Sequence, residues 1–248
     1  MKNLKNITII AMICISHVSL AQTKKTVETF SEVIISPHIE TTFIQGDEES
    51  VTILDNTLSD DIVNIEVKGE TLRVYLEDAK MTTKHKKVVK NGVKMNIPIY
   101  KGKVLTILVT YKNIDNLSLR GEQSTVCESI IDTEKFDLKI YGESQVTFNE
   151  VNIEDFEVDV YGESQLTIEK GTTENQHITA YGEGEIDLVE VDNKTSKLKA
   201  YGEAQFRVQA SKKIKFTAYG EAELYYKGTA EVSKGLSFGD SKINRIDY

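Results

Sequence analysis

Six carboxylates recur along this chain at nearly even spacing: Glu122, Glu143, Glu163, Glu183, Glu203 and Glu221. Five of them close the phrase Tyr-Gly-Glu, which begins at Tyr141, Tyr161, Tyr181, Tyr201 and Tyr219. Two residues after each comes an amide or a second acid, Gln145, Gln165, Glu185, Gln205 and Glu223. Aligned carboxylates could hold a cation, because Ca²⁺ takes several oxygen ligands in loose geometry; Glu143, Glu163, Glu183, Glu203 and Glu221 are the candidate metal ligands. Flat rings beside acids and amides could instead hold a carbohydrate, with Tyr141, Tyr161, Tyr181, Tyr201 and Tyr219 stacking on sugars and Gln145, Gln165 and Gln205 meeting hydroxyls. Catalysis is the third chemistry, since carboxylates one repeat apart approach the spacing of a retaining glycosidase. It needs two carboxyls in unlike environments, however, and here every repeat has the same neighbours. A lyase would also need a base over the acids, which only Lys199 or Arg207 could supply. No catalytic residue is assigned. The plainest alternative is a duplicated turn whose tyrosines stack as a wall and whose glutamates keep that wall soluble.

These residues need a β scaffold to align them. The phrase lies between stretches that alternate apolar and polar, as in Leu138-Lys-Ile-Tyr-Gly-Glu-Ser-Gln-Val-Thr-Phe148. Glycines at 121, 142, 162, 182, 202, 220 and 239 step by 21, 20, 20, 20, 18 and 19 residues, about one coil of a solenoid each. Counted from each Gly, even offsets hold Leu138, Ile140, Ser144, Val146 and Phe148 and their equivalents, which points them inward; odd offsets, with Tyr, Glu and Gln, point out. Coils about 4.8 Å apart turn like positions into ladders. At the Gly position a Cβ is expected to strike the opposite wall or to meet a positive φ. Cys127 has inward parity, as a small core residue. Leu236 and Phe238 fall at outward offsets, which suits a cap over the last coil.

The N-terminus reads as a signal peptide, residues 1–21: a basic start at Lys2 and Lys5, an apolar run from Ile7 to Ile15, and small residues before cleavage after Ala21. Cys14 lies within that run and not in a lipoprotein box. The formal charge of −9 becomes −11 when two lysines and no acid are removed, which disfavours nucleic acid and anionic membrane surfaces as partners. The mature chain has no membrane span, and its single Cys127 forms no internal disulfide.

Residues 22–110 form an irregular β portion and 111–248 the solenoid with a C-terminal cap. Within the first, Phe43 to Ile53 reads as two strands around an acidic turn, and Val63 to Leu76 as a hairpin around Lys68-Gly69-Glu70. Residues 80–94 crowd six lysines around His85 and an Asn91-Gly92 turn, a protruding basic hairpin that is a contact arm or a solvated excursion. Val104 to Tyr111 reads as a strand covered on both faces. His38, His85 and His177 stand alone, with no metal spacing around them.

The sequence from Phe30-Ser-Glu-Val-Ile-Ile-Ser-Pro, through Gln45-Gly-Asp and Asn116-Leu-Ser-Leu, into the Gly-centred repeats resembles the head GIN domain family, also called the putative autotransporter adhesin family, of exported Bacteroidota proteins. Members of that family usually carry Ser-Gly and a small residue where this chain has Tyr-Gly-Glu. The resemblance implies an all-β, right-handed β-helix-like fold outside the cytoplasm and brings no catalytic residue. The expected protein is therefore not an enzyme. It is an exported interaction protein of the periplasm, outer-membrane surface or extracellular space, touching carbohydrate or protein through its Tyr, Glu and Gln ladders. A Ca²⁺-binding structural solenoid and a polysaccharide-degrading β-helix are the alternatives; otherwise no cofactor is expected.

Overall fold

The computed structural model describes residues 23–90 and 92–246, so the expected signal peptide and Asn91 lie outside it. Among the described residues the chain forms one sheet of eleven strands, one of ten and a separate sheet of two. No helix among them is long and apolar enough to cross a membrane.

Each repeat builds one coil. The strand Ile131–Gly142 lies in the ten-stranded sheet, the chain bends at Gly-Glu-Ser, and Gln145–Phe148 continues in the eleven-stranded sheet. The next coil repeats this with Val151–Gly162 and Gln165–Ile168, in parallel register, Tyr141 against Tyr161 and Gln145 against Gln165. About six such turns run between residues 116 and 245. Inward parity holds throughout: Leu138, Ile140, Val146, Phe148 and their equivalents up to Leu224 are buried in one continuous core. The alternation breaks once per long strand, where Glu154 and Asp155 are both exposed between buried Ile153 and Phe156, so the strand turns a corner there. Cys127 is fully buried, and burial pushes its thiol far above the usual cysteine range.

The bend at Gly has two causes that differ in part from the expected ones. Gly162 has φ +108°, and a Cβ on it would lie 2.2 Å from the carbonyl oxygen of Gly142. The collision is with the adjacent coil along the axis and not with the opposite wall. The small inward residue two positions later is also explained. Ser164 Oγ donates to the Gly142 carbonyl at 3.0 Å and accepts from the Ser144 N–H at 3.1 Å, so a buried hydroxyl staples one bend to the next.

The N-terminal residues add to the same two sheets. Glu32–Ile35 and Ile39–Gln45 form a coil directly against Asn116–Gly121 and Thr125–Cys127. Thr71–Leu76 and Leu105–Tyr111 form the next coil outward. Three antiparallel strands finish this end: Ser50–Asn56 on Leu105–Tyr111, Thr23–Thr26 on Ser50–Asn56, and Val63–Lys68 on Thr71–Leu76. The strands flanking the acidic turn are therefore not neighbours, because Leu105–Tyr111 lies between them. That strand buries Leu105, Ile107, Val109 and Tyr111 but only half-buries the residues between. It has one covered face and not two, because a solenoid wall has one core side.

At the other end Leu236 and Phe238 are 68% and 62% exposed, so they do not cover the core. Phe238 instead packs its ring on Tyr219, at 5.9 Å and 26°. The two-stranded sheet is the lysine-rich hairpin, His85–Lys90 with Val93–Pro98, inserted where the outer coil bends between residues 76 and 105.

Candidate contact surface at the Tyr-Gly-Glu corner

Parallel register fixes the tyrosines. With each Tyr paired to its equivalent one coil away, the rings stack face to face at 4.8, 4.7, 5.1 and 5.1 Å, with interplanar angles of 6° or less. These spacings match the strand spacing, so each ring uses the coil repeat as a stacking distance. Arg120 lies over Tyr141 at 4.6 Å and closes the stack at one end; Phe238 closes it at the other. Ring faces are thereby spent on one another. Sugar stacking on the ring faces, as the sequence suggested, has no free face along this ladder.

Burial raises the pKa values of Tyr161 and Tyr181, with the negative charge of Asp159 adding to it. Asp159 sits on the same outward face between Lys139 and Thr179, and its own carboxyl is pushed up, first by burial and then by Glu157.

On the other side of the glycine bend lies a groove of about 880 Å³. It gathers Glu163, Glu183, Glu203 and Glu221 with Gln165 and Gln205, six of the residues expected to form the site. Glu143 and Gln145 continue the same ladders beyond its end. Glu185, Glu223, Asp240 and Lys242 also line it. The last two come from the final coil, where the phrase degenerates to Phe-Gly-Asp and the register of Ser241–Arg245 on Ala222–Lys227 brings them in. Gln165 Nε2 donates to Glu185 at 3.2 Å. Lys242 pairs with Glu223 at 2.7 Å and, with the Tyr225 hydroxyl, holds that carboxyl below the usual range. Glu163, Glu183, Glu203 and Glu221 are exposed on the outer side of the bend. Among the described residues no group of three or more His, Cys, Asp or Glu side chains gathers around a point that could hold a metal. Arg207 is engaged with Asp187 at 3.0 Å, and Lys199 lies on the ten-stranded sheet, so neither stands over the acids as a lyase base.

A second groove, of about 830 Å³, lies at the other corner of the coil, where Glu154 and Asp155 break the alternation. Its wall is a hydrogen-bonded ladder: Asn152 donates to Asp132 at 2.7 Å and Thr172 to Asn152 at 2.7 Å. Alignment on glycines alone hides it, although the doubled polar pair in each long strand marks the corner.

Solved structures share the fold. One from Bacteroides fragilis, described as a putative adhesin, superposes with TM-score 0.72 at 17% identity over 91% of this chain and 96% of that one. Another putative adhesin, from Parabacteroides merdae, gives 0.64 at 16% identity over 92% and 96%. A protein of Parabacteroides distasonis described as a putative lipid binding protein gives 0.61 at 16% over 91% and 96%. No curated protein matches the chain. Residues 29–230 match the family model described as "Putative auto-transporter adhesin, head GIN domain", and the chain belongs to that family.

Proposed function

We propose that this chain is an exported, non-catalytic adhesive module whose acidic groove takes a cationic segment of a protein at the cell surface. The observation that carries the proposal is the lining of that groove: Glu163, Glu183, Glu185, Glu203, Glu221, Glu223 and Asp240 against Lys242 alone, itself paired with Glu223. Like charges at coil spacing repel, and a partner bringing Lys or Arg at similar intervals relieves that repulsion as it binds. Relatives of the same fold described as adhesins support an adhesive role, and the basic, apolar and small-residue order of residues 1–21 supports export. The like setting of Glu143, Glu163, Glu183 and Glu203, each following a stacked Tyr and a bend Gly, supports a binding role and not a catalytic one.

A glycan is the second candidate ligand, favoured by the regular supply of one carboxylate and one amide or acid per coil. Binding of residues 22–248 to arrayed lysine- and arginine-rich peptides and to neutral glycans separates the two. The expected result is salt-sensitive peptide binding that falls about tenfold or more in a Glu163→Gln/Glu183→Gln/Glu203→Gln variant. Salt-insensitive binding to a neutral glycan would overturn the cationic partner.

A further inference from the structure

The hairpin His85–Lys90 and Val93–Pro98 pairs only with itself; neither of its faces lies on the large sheets. Its base is fixed. The ring of His38 bridges Thr83 Oγ1 and the Gly102 carbonyl, both at 2.6 Å, and lies edge-on to Tyr100 at 5.8 Å. The arm beyond that base is built unlike the rest of the molecule. Residues 84–98 carry five lysines and no Asp or Glu, in a chain whose formal charge is −9. Lysines near the stem are paired, Lys84 with Asp78 and Lys103 with Glu40. Lys86, Lys87, Lys90 and Lys94 form no ion pair among the described residues.

Cross-strand register gives the two faces. The pairs Lys90–Val93, Val88–Met95 and Lys86–Ile97 alternate with Val89–Lys94 and Lys87–Asn96, so Val88, Val93, Met95 and Ile97 share one face with Lys86 and Lys90. Val93 and Met95 on that face, and Val89 on the other, are 60%, 45% and 65% exposed. An isolated two-stranded hairpin is marginal in water, and this one sets two exposed apolar side chains, Val93 and Met95, on the face that carries Lys86 and Lys90.

We propose that this hairpin is a docking arm for an anionic lipid surface, inserting Val93 and Met95 at the headgroup boundary while Lys86, Lys87, Lys90 and Lys94 meet lipid phosphates. Apolar side chains with lysines around them match the interfacial layering of a bilayer, where the long lysine stems let charge reach the headgroups. A soluble polyanion would use the lysines and leave the valines and methionine in water. The hairpin carries Lys86, Lys87, Lys90 and Lys94 with no acid, and none of its residues lines the Glu groove, so the acidic net charge that argues against membranes for the chain as a whole does not apply on this arm.

The test is flotation of residues 22–248 with phosphatidylcholine vesicles that contain phosphatidylglycerol, against pure phosphatidylcholine. Binding to the anionic vesicles is expected to fall about fivefold for each of Lys86→Gln, Lys90→Gln and Lys94→Gln, and to fall in Val93→Asn/Met95→Asn with the melting temperature unchanged. The chain has no tryptophan, so Val93→Trp gives a single reporter whose emission shifts to the blue on vesicle binding. No binding to anionic vesicles would overturn the proposal. So would binding that ignores Val93→Asn/Met95→Asn and is competed fully by dextran sulfate, which would make the arm a site for soluble polyanions.

Discussion

At the scale of single residues, the Tyr-Gly-Glu bend depends on atoms that are missing. Gly162 combines φ +108° with a neighbouring carbonyl 2.2 Å from any Cβ, whereas Gly69, at φ +63°, has open space around it. Gly162→Ala is expected to lower the melting temperature by roughly 6 °C or more and Gly69→Ala by less than about 4 °C, read by circular dichroism. Equal losses would leave only the backbone angle and no clash. Asp159 gives a pH-dependent case. Its folded-state pKa is raised, so the folded chain holds that proton more tightly than the unfolded chain does. Stability is therefore lost as pH rises from the ordinary carboxylate value through the raised one, and the deficit remains at neutral pH. Asp159→Asn should raise the melting temperature at about pH 7 and leave it unchanged below about pH 3. A fall at pH 7 would mean that Lys139 and Lys199 outweigh burial and Glu157.

At the scale of elements, the tyrosine ladder belongs to the wall. Tyr181 stacks on two rings, Tyr161 and Tyr201, while Tyr141 stacks on one ring and Arg120. Tyr181→Leu should therefore cost more than Tyr141→Leu, by roughly 1 kcal/mol in denaturant unfolding; the reverse order would show that the stack adds nothing beyond area. The raised pKa values of Tyr161 and Tyr181 add that stability should fall as pH rises above about 10, where tyrosines of the unfolded chain lose their protons first. Coil length and parity were legible because one phrase recurs at almost constant spacing, and a period of two leaves Leu138, Ile140, Val146 and Phe148 no choice of side. The direction in which the rings face was not legible, since it depends on exact register and rotamer. The role of Phe238 was lost with it: at an outward offset it ends the ladder and does not cover the core.

At the scale of the whole molecule, the order of the N-terminal strands was hidden. Glu32–Ile35 lies between strands far away in sequence, Thr71–Leu76 and Asn116–Gly121, and no repeated phrase ties them together. The lysine cluster reads in the sequence as a protruding hairpin; the clasp of His38 on Thr83 and Gly102 at its base does not, because those residues are far apart along the chain. Millimolar Ca²⁺ is expected to leave the melting temperature where chelator leaves it, because the outward glutamates do not gather around a point; a rise of several degrees that is lost in Glu163→Gln/Glu183→Gln would establish an ion ladder instead. On the proposed function, the acids of the Tyr-Gly-Glu corner are kept for contact and against the fold's own stability. The most direct measurement is the thermal melt of Glu163→Gln/Glu183→Gln/Glu203→Gln beside the unaltered chain at low salt in chelator. Relief of like-charge repulsion should raise the midpoint by about 2 °C, with the gain shrinking as salt is added. A lower midpoint at every salt concentration would show that the glutamates hold the solenoid together and would contradict the claim.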